Sequence, residues 1–320
     1  MNKTALKKAG RIVVRIVNSI VDFMVLTVIL LLVAVAVYSI WDSDQVYRAA
    51  AASQYSVYKP DTAEGGLSFE QLKELNPEVF GWLTVYGTNI DYPVTQGKDN
   101  WKYVNTNALG EYSLSGAIFL DYTNRKDFQD FNSILYGHHM EKQTMFGELG
   151  SFSDKSFFEG HEYGNLYYDG KDHGLEFFAF IKTDAYDGSI FTPNVQGKEA
   201  QQAYLKSLLD KAVYTRKIGV TEEDRILLLT TCSTDATNGR DILAARITKE
   251  CYSNPFNEEK SSNANTVSVD RQAGQWESLP RWLQIVLPVI LLILFMIAVY
   301  YKGRVKRRNH EKELRKYELK

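Results

Sequence analysis

Two long apolar runs bracket the chain. The first, FMVLTVILLLVAVAVYSIW (23–41), carries no charge between Asp22 and Asp42; the second, WLQIVLPVILLILFMIAVYY (282–301), carries none between Arg281 and Lys302. At about 1.5 Å per residue, roughly 20 apolar residues cross a hydrocarbon layer of about 30 Å, so each run predicts a transmembrane helix. Trp41, Trp282, Tyr300 and Tyr301 stand at the run ends, where amphipathic rings suit the headgroup region. Pro288 is tolerated in a membrane helix. A cleaved signal peptide is the other reading of the first run, with AAAAS (49–53) as its cleavage site. The run is longer than the usual apolar core of a signal, which favours a retained anchor.

Between the runs the pattern changes. Residues 42–68 are rich in Ala, Ser, Gly and charge and read as a stalk with some helix. Ser68 and Gln71 form a capping-box pattern ahead of a short helix that carries Leu72 and Leu75 on one face and ends near Asn76-Pro77. Short apolar and aromatic runs follow, broken by Gly, Asn and Asp. GWLTVYG, GAIFLDY, NSILYG, LEFFAFIKT, RILLLTT and DILAARIT predict strands. KEAQQAYLKSLLDKA predicts a helix with Tyr204, Leu205, Leu208, Leu209 and Ala212 on one face. Residues 253–281 are polar and nearly without aliphatics, a second linker. Many short strands with few helices predict a barrel or sandwich, domain limits 69–252.

Charge sets the orientation. Five basic residues and no acid precede Asp22, and residues 302–320 carry nine basic and three acidic residues. Both ends, 1–22 and 302–320, therefore read as cytoplasmic. Residues 42–281 carry 23 basic and 35 acidic residues and fall outside the membrane, tethered twice. A formal net charge of −2 excludes a generally basic nucleic-acid binder, and two Cys exclude a disulfide framework.

Three residues stand where apolar strands leave the core. Cys232 follows LLLTT and precedes the polar loop STDATNG. A buried structural thiol is the plainer reading of a lone Cys, and a bridge to Cys251 is another. Against both, a free thiol outside the membrane is exposed to oxidation, and the residues after it are small and polar. His138, in NSILYGHHM, could supply the imidazole that generates thiolate and protonates a leaving amine, with His139 incidental. His161 and His173 read as polar-loop residues. Arg240 opens the strand after Cys232, and an antiparallel hairpin would set the two side by side, offering a cation to a carbonyl oxygen or oxyanion. No His, Cys or Asp grouping has metal-ligand spacing, so no metal or cofactor is expected.

The stretches NPEVFGWLTVYGTNIDYPVTQGKDN (76–100), SGAIFLDYTN (115–124), FNSILYGHHMEKQTMFGELG (131–150) and LLLTTCSTDATNGRDILAARI (227–247) resemble the sortases, cysteine transpeptidases of Gram-positive cell surfaces, and among them class B. The resemblance covers about Phe69 to Tyr252. It implies an eight-stranded β-barrel with peripheral helices, here flanked by two transmembrane helices. It implies that His138, Cys232 and Arg240 are the active-site trio. Leu228 departs from a Thr often found four residues before the Cys. The second apolar run departs further, being more typical of pilus-building class C, whose lid segment is not evident in 42–68.

The resemblance also implies acyl transfer. Cys232 would attack the Thr carbonyl of a C-terminal sorting signal, of the Asn-Pro-x-Thr-x kind, on surface proteins or pilins. An amine, from the cell-wall precursor lipid II or from a pilin Lys, would then resolve the thioester. A cysteine protease releasing the acyl group to water, and a non-catalytic scaffold domain, are the alternatives. The loop about 185–197 is the expected signal-recognising segment.

Overall fold

The computed structural model describes residues 3–60, 68–233, 237–256 and 302. The expected second membrane run at 282–301, most of the 253–281 linker and nearly all of the basic tail lie outside the described residues. The chain divides into two compact units, Met1–Ser43 with Val267–Lys320, and Asp44–Thr266. In the first, helix α1 (Lys3–Ala50, running on into the second unit) presents an apolar surface with Phe23, Leu31, Leu32 and Val35 all exposed. The helix is long and apolar enough to cross a membrane.

The second unit is a barrel built from β1 (Val79–Val85), β2 (Asp91–Thr95), β3 (Ile118–Leu120), β4 (Asn132–Tyr136), β5 (Tyr163–Tyr168), β6 (Lys171–Asp184), β8 (Arg225–Cys232) and β9 (Gly239–Thr248), with a short β7 (Ala212–Thr215). The order β5-β1-β2-β3-β4-β8-β9-β6 closes through pairing of β5 with β6, so eight strands form the ring. The 14-residue β6 makes closure possible. One of its edges takes β9 along most of its length; the other takes β5 over Lys171–Glu176 and then β7 over Ala179–Ile181. Closure leaves few unpaired strand edges. Pairings β2–β3 and β4–β8 are parallel and the rest antiparallel.

Among the described residues three α-helices decorate the barrel: α2 (Phe69–Leu75), α3 (Lys155–Gly160) and α4 (Lys198–Lys211). The Ser68–Gln71 capping box forms in both directions and starts α2. Leu75 is exposed, contrary to expectation: α2 is under two turns long, and its last residue lies about a third of a turn from Phe69. In α4, Tyr204, Leu205 and Leu208 are buried, whereas Leu209 sits on the rim at 40% exposure and Ala212 already belongs to β7.

The apolar runs of β4, β8 and β9 are continuous because both of their faces are covered. Leu227, Leu229, Leu243 and Ala245 face the barrel interior; Ile134, Ile226, Leu228, Ile242 and Ala244 face a second cluster with Phe178, Ile190, Tyr204 and Leu208 of the outer layer. Deleting the fully buried Leu229, which pairs with Leu243 across β8–β9, leaves a cavity that the ring cannot collapse. Leu229→Ala is expected to lower unfolding free energy by about 2–5 kcal/mol, read as a lower denaturant midpoint at unchanged slope.

Candidate active site

Strand β8 ends on Cys232, which is exposed, as its position at the end of LLLTT leads one to expect. Cys251 is likewise a free, exposed thiol, so no bridge joins the two. Antiparallel pairing of β8 with β9 sets Cys232 directly opposite Arg240. Among the described residues the Arg240 guanidinium makes one hydrogen bond, from Nη1 to the Gly239 carbonyl at 3.0 Å. Its remaining donors make no hydrogen bond among the described residues, which leaves them for a ligand or solvent.

His138 reaches the same strand end from the other side. Parallel pairing aligns Asn132 with Ile226 and runs in register to Tyr136 opposite Thr230; Gly137 N–H then donates to the Thr230 carbonyl at 3.2 Å. Two residues past Tyr136 lies His138, and two past Thr230 lies Cys232. Because side chains alternate, His138 is in phase with Ile134 and Tyr136, Cys232 with Leu228 and Thr230, and Arg240 with Ile242. Cys232 and Arg240 thus share the outer face of the barrel, where the apolar outer layer gives way to solvent, and the phase of β4, continued two residues past its end, carries His138 toward that face.

The imidazole has a fixed orientation. Its Nε2 lies 2.8 Å from the Val104 carbonyl oxygen, which can only accept, so Nε2 carries the proton and Nδ1 is left for proton exchange. That carbonyl is backed by Gly116 at φ 59°, whose Cβ would collide with the Tyr103 and Val104 carbonyls. Among the described residues the buried Nδ1 of His139 has no hydrogen-bond partner, and its backbone bridges to Met145. Of the two histidines expected in polar loops, His173 lies instead in a strand, whereas His161 follows α3 in the short link to β5. His173 is in β6 and stacks on Tyr168, and His161 caps α3 between the rings of Phe157 and Phe256.

Beside His138 stands a polar pair that the sequence did not signal. Tyr136 donates its hydroxyl to Asp121 at 3.2 Å and stacks on Phe119. Burial first, then the Asp121 carboxylate, raises the Tyr136 pKa, and the positive charge of Arg240 opposes this. The same outer face is roofed by the 185–197 segment. Asn132 pins it: its Nδ2 donates to the Thr192 carbonyl at 2.8 Å, and its Oδ1 accepts from Val195 N–H at 2.8 Å. Asp187 closes the segment's base with Lys211, Thr183 and Ser189.

A thiol and an imidazole flanked by a fixed cation, at one rim of a closed β-barrel, define a candidate cysteine acyl-transfer enzyme. The profile of the sortase domain matches residues 83–248, just over half of the chain, and the chain belongs to the sortase family of cysteine transpeptidases. It is 34% identical over 200 residues to sortase B of Listeria monocytogenes, covering 60% of this chain and 81% of that protein. Among solved structures it resembles sortase B from the type II pilus of Streptococcus pneumoniae, at 50% identity and a TM-score of 0.51, covering 57% of this chain and 99% of that one. A Streptococcus pyogenes class B sortase involved in pilus biogenesis is 41% identical, with a TM-score of 0.52, covering 56% and 97%. The eight-stranded barrel and class B likeness are as expected. Sortases act on sorting-signal substrates such as pilins and surface proteins.

Burial would raise the Asp187 carboxyl, but the bonds from Lys211, Thr183 and Ser189 outweigh it and hold the group well below the usual carboxylate range. A depressed pKa stabilises the fold fully above the unfolded value, about 3.9, and loses that contribution as pH falls through the folded value. Wild type is therefore expected to exceed Asp187→Asn in denaturant midpoint by a constant margin from about pH 7 to 5, shrinking below about pH 4.

Proposed function

We propose that the chain is a membrane-anchored class B transpeptidase that joins pilin-type surface proteins through a thioacyl-enzyme. The observation that supports this reading is the parallel register of β4 and β8, which runs to Tyr136 opposite Thr230, two residues short of His138 and Cys232, together with the pairing of Cys232 with Arg240 across β8–β9. Cys232 passes its thiol proton to His138 Nδ1, and the thiolate attacks the Thr carbonyl of the sorting signal, forming a C–S bond as the C–N bond breaks. His138 gives its Nδ1 proton to the departing amine. An incoming amine then attacks the thioester, the sulfur leaves as thiolate, and His138 takes the amine's proton. Arg240 holds the substrate carbonyl or the developing oxyanion through its planar fork of donors.

The acceptor is read as a pilin Lys. Support comes from two relatives that belong to pilus systems, at 50% and 41% identity, and from the second apolar run, a departure already pointing that way. Anchoring is read as two-pass with both termini cytoplasmic, on the strength of α1 and of the basic flanks of both runs. Holding the barrel at the membrane raises its effective concentration toward membrane-held substrates.

Incubating the full chain in detergent micelles with a sorting peptide and an amine acceptor tests the reading by mass spectrometry. Cys232→Ala and His138→Ala are expected to give neither acyl adduct nor amide, and His139→Ala to retain most of both. Peptide cleavage with no amide product would leave the protease reading, and a normal adduct in His138→Ala would remove the assigned acid. Arg240→Lys is expected to lower turnover about tenfold or more, because a flexible ammonium does not replace the guanidinium fork. Unchanged kinetics in that variant would make Arg240 a structural residue.

A further inference from the structure

We propose that Tyr92 is a positioning residue that ties the end of helix α1 to the backbone of His138, so that the tether itself holds the imidazole in place. The inference rests on His138 being the acid of the proposed reaction. Tyr92, on β2, is 1% exposed, and its hydroxyl works in both directions. It donates to the Ala50 carbonyl at 3.0 Å and accepts from Met145 N–H at 2.9 Å. Ala50 is the last residue of α1 and is buried, and carbonyls at a helix end have no partner within the helix. One residue on, Phe146 N–H donates to the His138 carbonyl at 3.0 Å. A continuous run of hydrogen-bonded groups thus leads from the tether to His138. Burial pushes the Tyr92 hydroxyl up to about 12, so it remains a donor at neutral pH.

The loop between His138 and Phe146 needs such support. Lys142, Gln143 and Met145 all have left-handed backbones, with φ of 56°, 56° and 54°. Non-glycine residues adopt that conformation only where their surroundings impose it. The last turns of α1 impose it at the loop tip. Tyr47 donates its hydroxyl to Glu141 at 3.1 Å, Lys142 lies 3.3 Å from Asp44, and its ammonium sits 4.5 Å from the Tyr47 ring centre. Asp44 is itself held by Arg48 at 2.8 Å. The same helix that reads as the membrane anchor therefore grips the histidine loop at two points, one buried and one exposed.

A Tyr that merely fills the core would lose stability, not chemistry, when its hydroxyl is removed. Tyr92→Phe in the full chain in detergent micelles is expected to slow single-turnover acylation about tenfold with KM nearly unchanged, since a small misplacement of a catalytic group costs rate rather than binding. The exposed grip gives a second test that does not disturb the core. Asp44→Lys and Lys142→Asp are each expected to slow acylation about threefold, and the double variant to recover most of the wild-type rate. Wild-type acylation in Tyr92→Phe, a change in KM alone, or single charge variants indistinguishable from wild type would overturn the proposal; if Tyr92→Phe fails to fold, the charge swap decides. Cys232→Ala and His138→Ala run in the same assay separate the two levels. If they lose acylation while the Tyr92 and charge variants do not, only the positioning role fails; if they retain it, the catalytic assignment fails and this role with it.

Discussion

The parallel register of β4 against β8 is the constraint on which the site depends. Parallel neighbours end at the same rim: the register runs to Tyr136 opposite Thr230, and His138 and Cys232 each lie two residues further on. The antiparallel turn into β9 then delivers Arg240 opposite Cys232. A slip of one residue in either pairing would turn the affected side chain to the barrel interior. The continuous apolar runs resist that slip, because Ile226, Leu228 and Ile242 must meet the outer layer while Leu227, Leu229 and Leu243 fill the barrel. Core packing and catalytic geometry are thus one specification.

The two layers divide the work. The barrel interior gives rigidity, and the outer layer supplies the roof beside which a peptide would lie, with segment 185–197 pinned to Asn132 at the start of the strand that leads to His138. Backbone groups finish the site: the Val104 carbonyl fixes the ring tautomer and the Thr230 carbonyl carries the ladder one residue past β4. A thiol and an imidazole that act together in acyl transfer would need this fixing, since orientation accounts for much of the rate.

Much of this was legible in the chain. The runs NSILYG, RILLLTT and DILAARIT are long enough and apolar enough to announce β4, β8 and β9, and the short polar loop after Cys232 announces the hairpin that brings Arg240 alongside. Strand β2 was hidden by Pro93, which is tolerated because pairing with β3 begins only at Val94. Strand β5, YGNLYY, was hidden by its tyrosines and Gly164, and His173 was misread as a loop residue because Lys171 and Asp172 precede it in β6. The proposed meeting of His138 with Cys232 has no local signal, because it would come from pairing strands far apart in sequence; resemblance supplied it. No side-chain pattern encodes the Val104 carbonyl or the Tyr92 bridge.

The most direct test of the whole account is paramagnetic broadening of the His138 ring signals by a nitroxide attached to the exposed Cys232 in a Cys251→Ser background. If sulfur and imidazole share one rim, the label broadens those ring signals beyond detection. Undiminished His138 ring signals would mean that the two groups do not meet, contradicting the register on which the site is built.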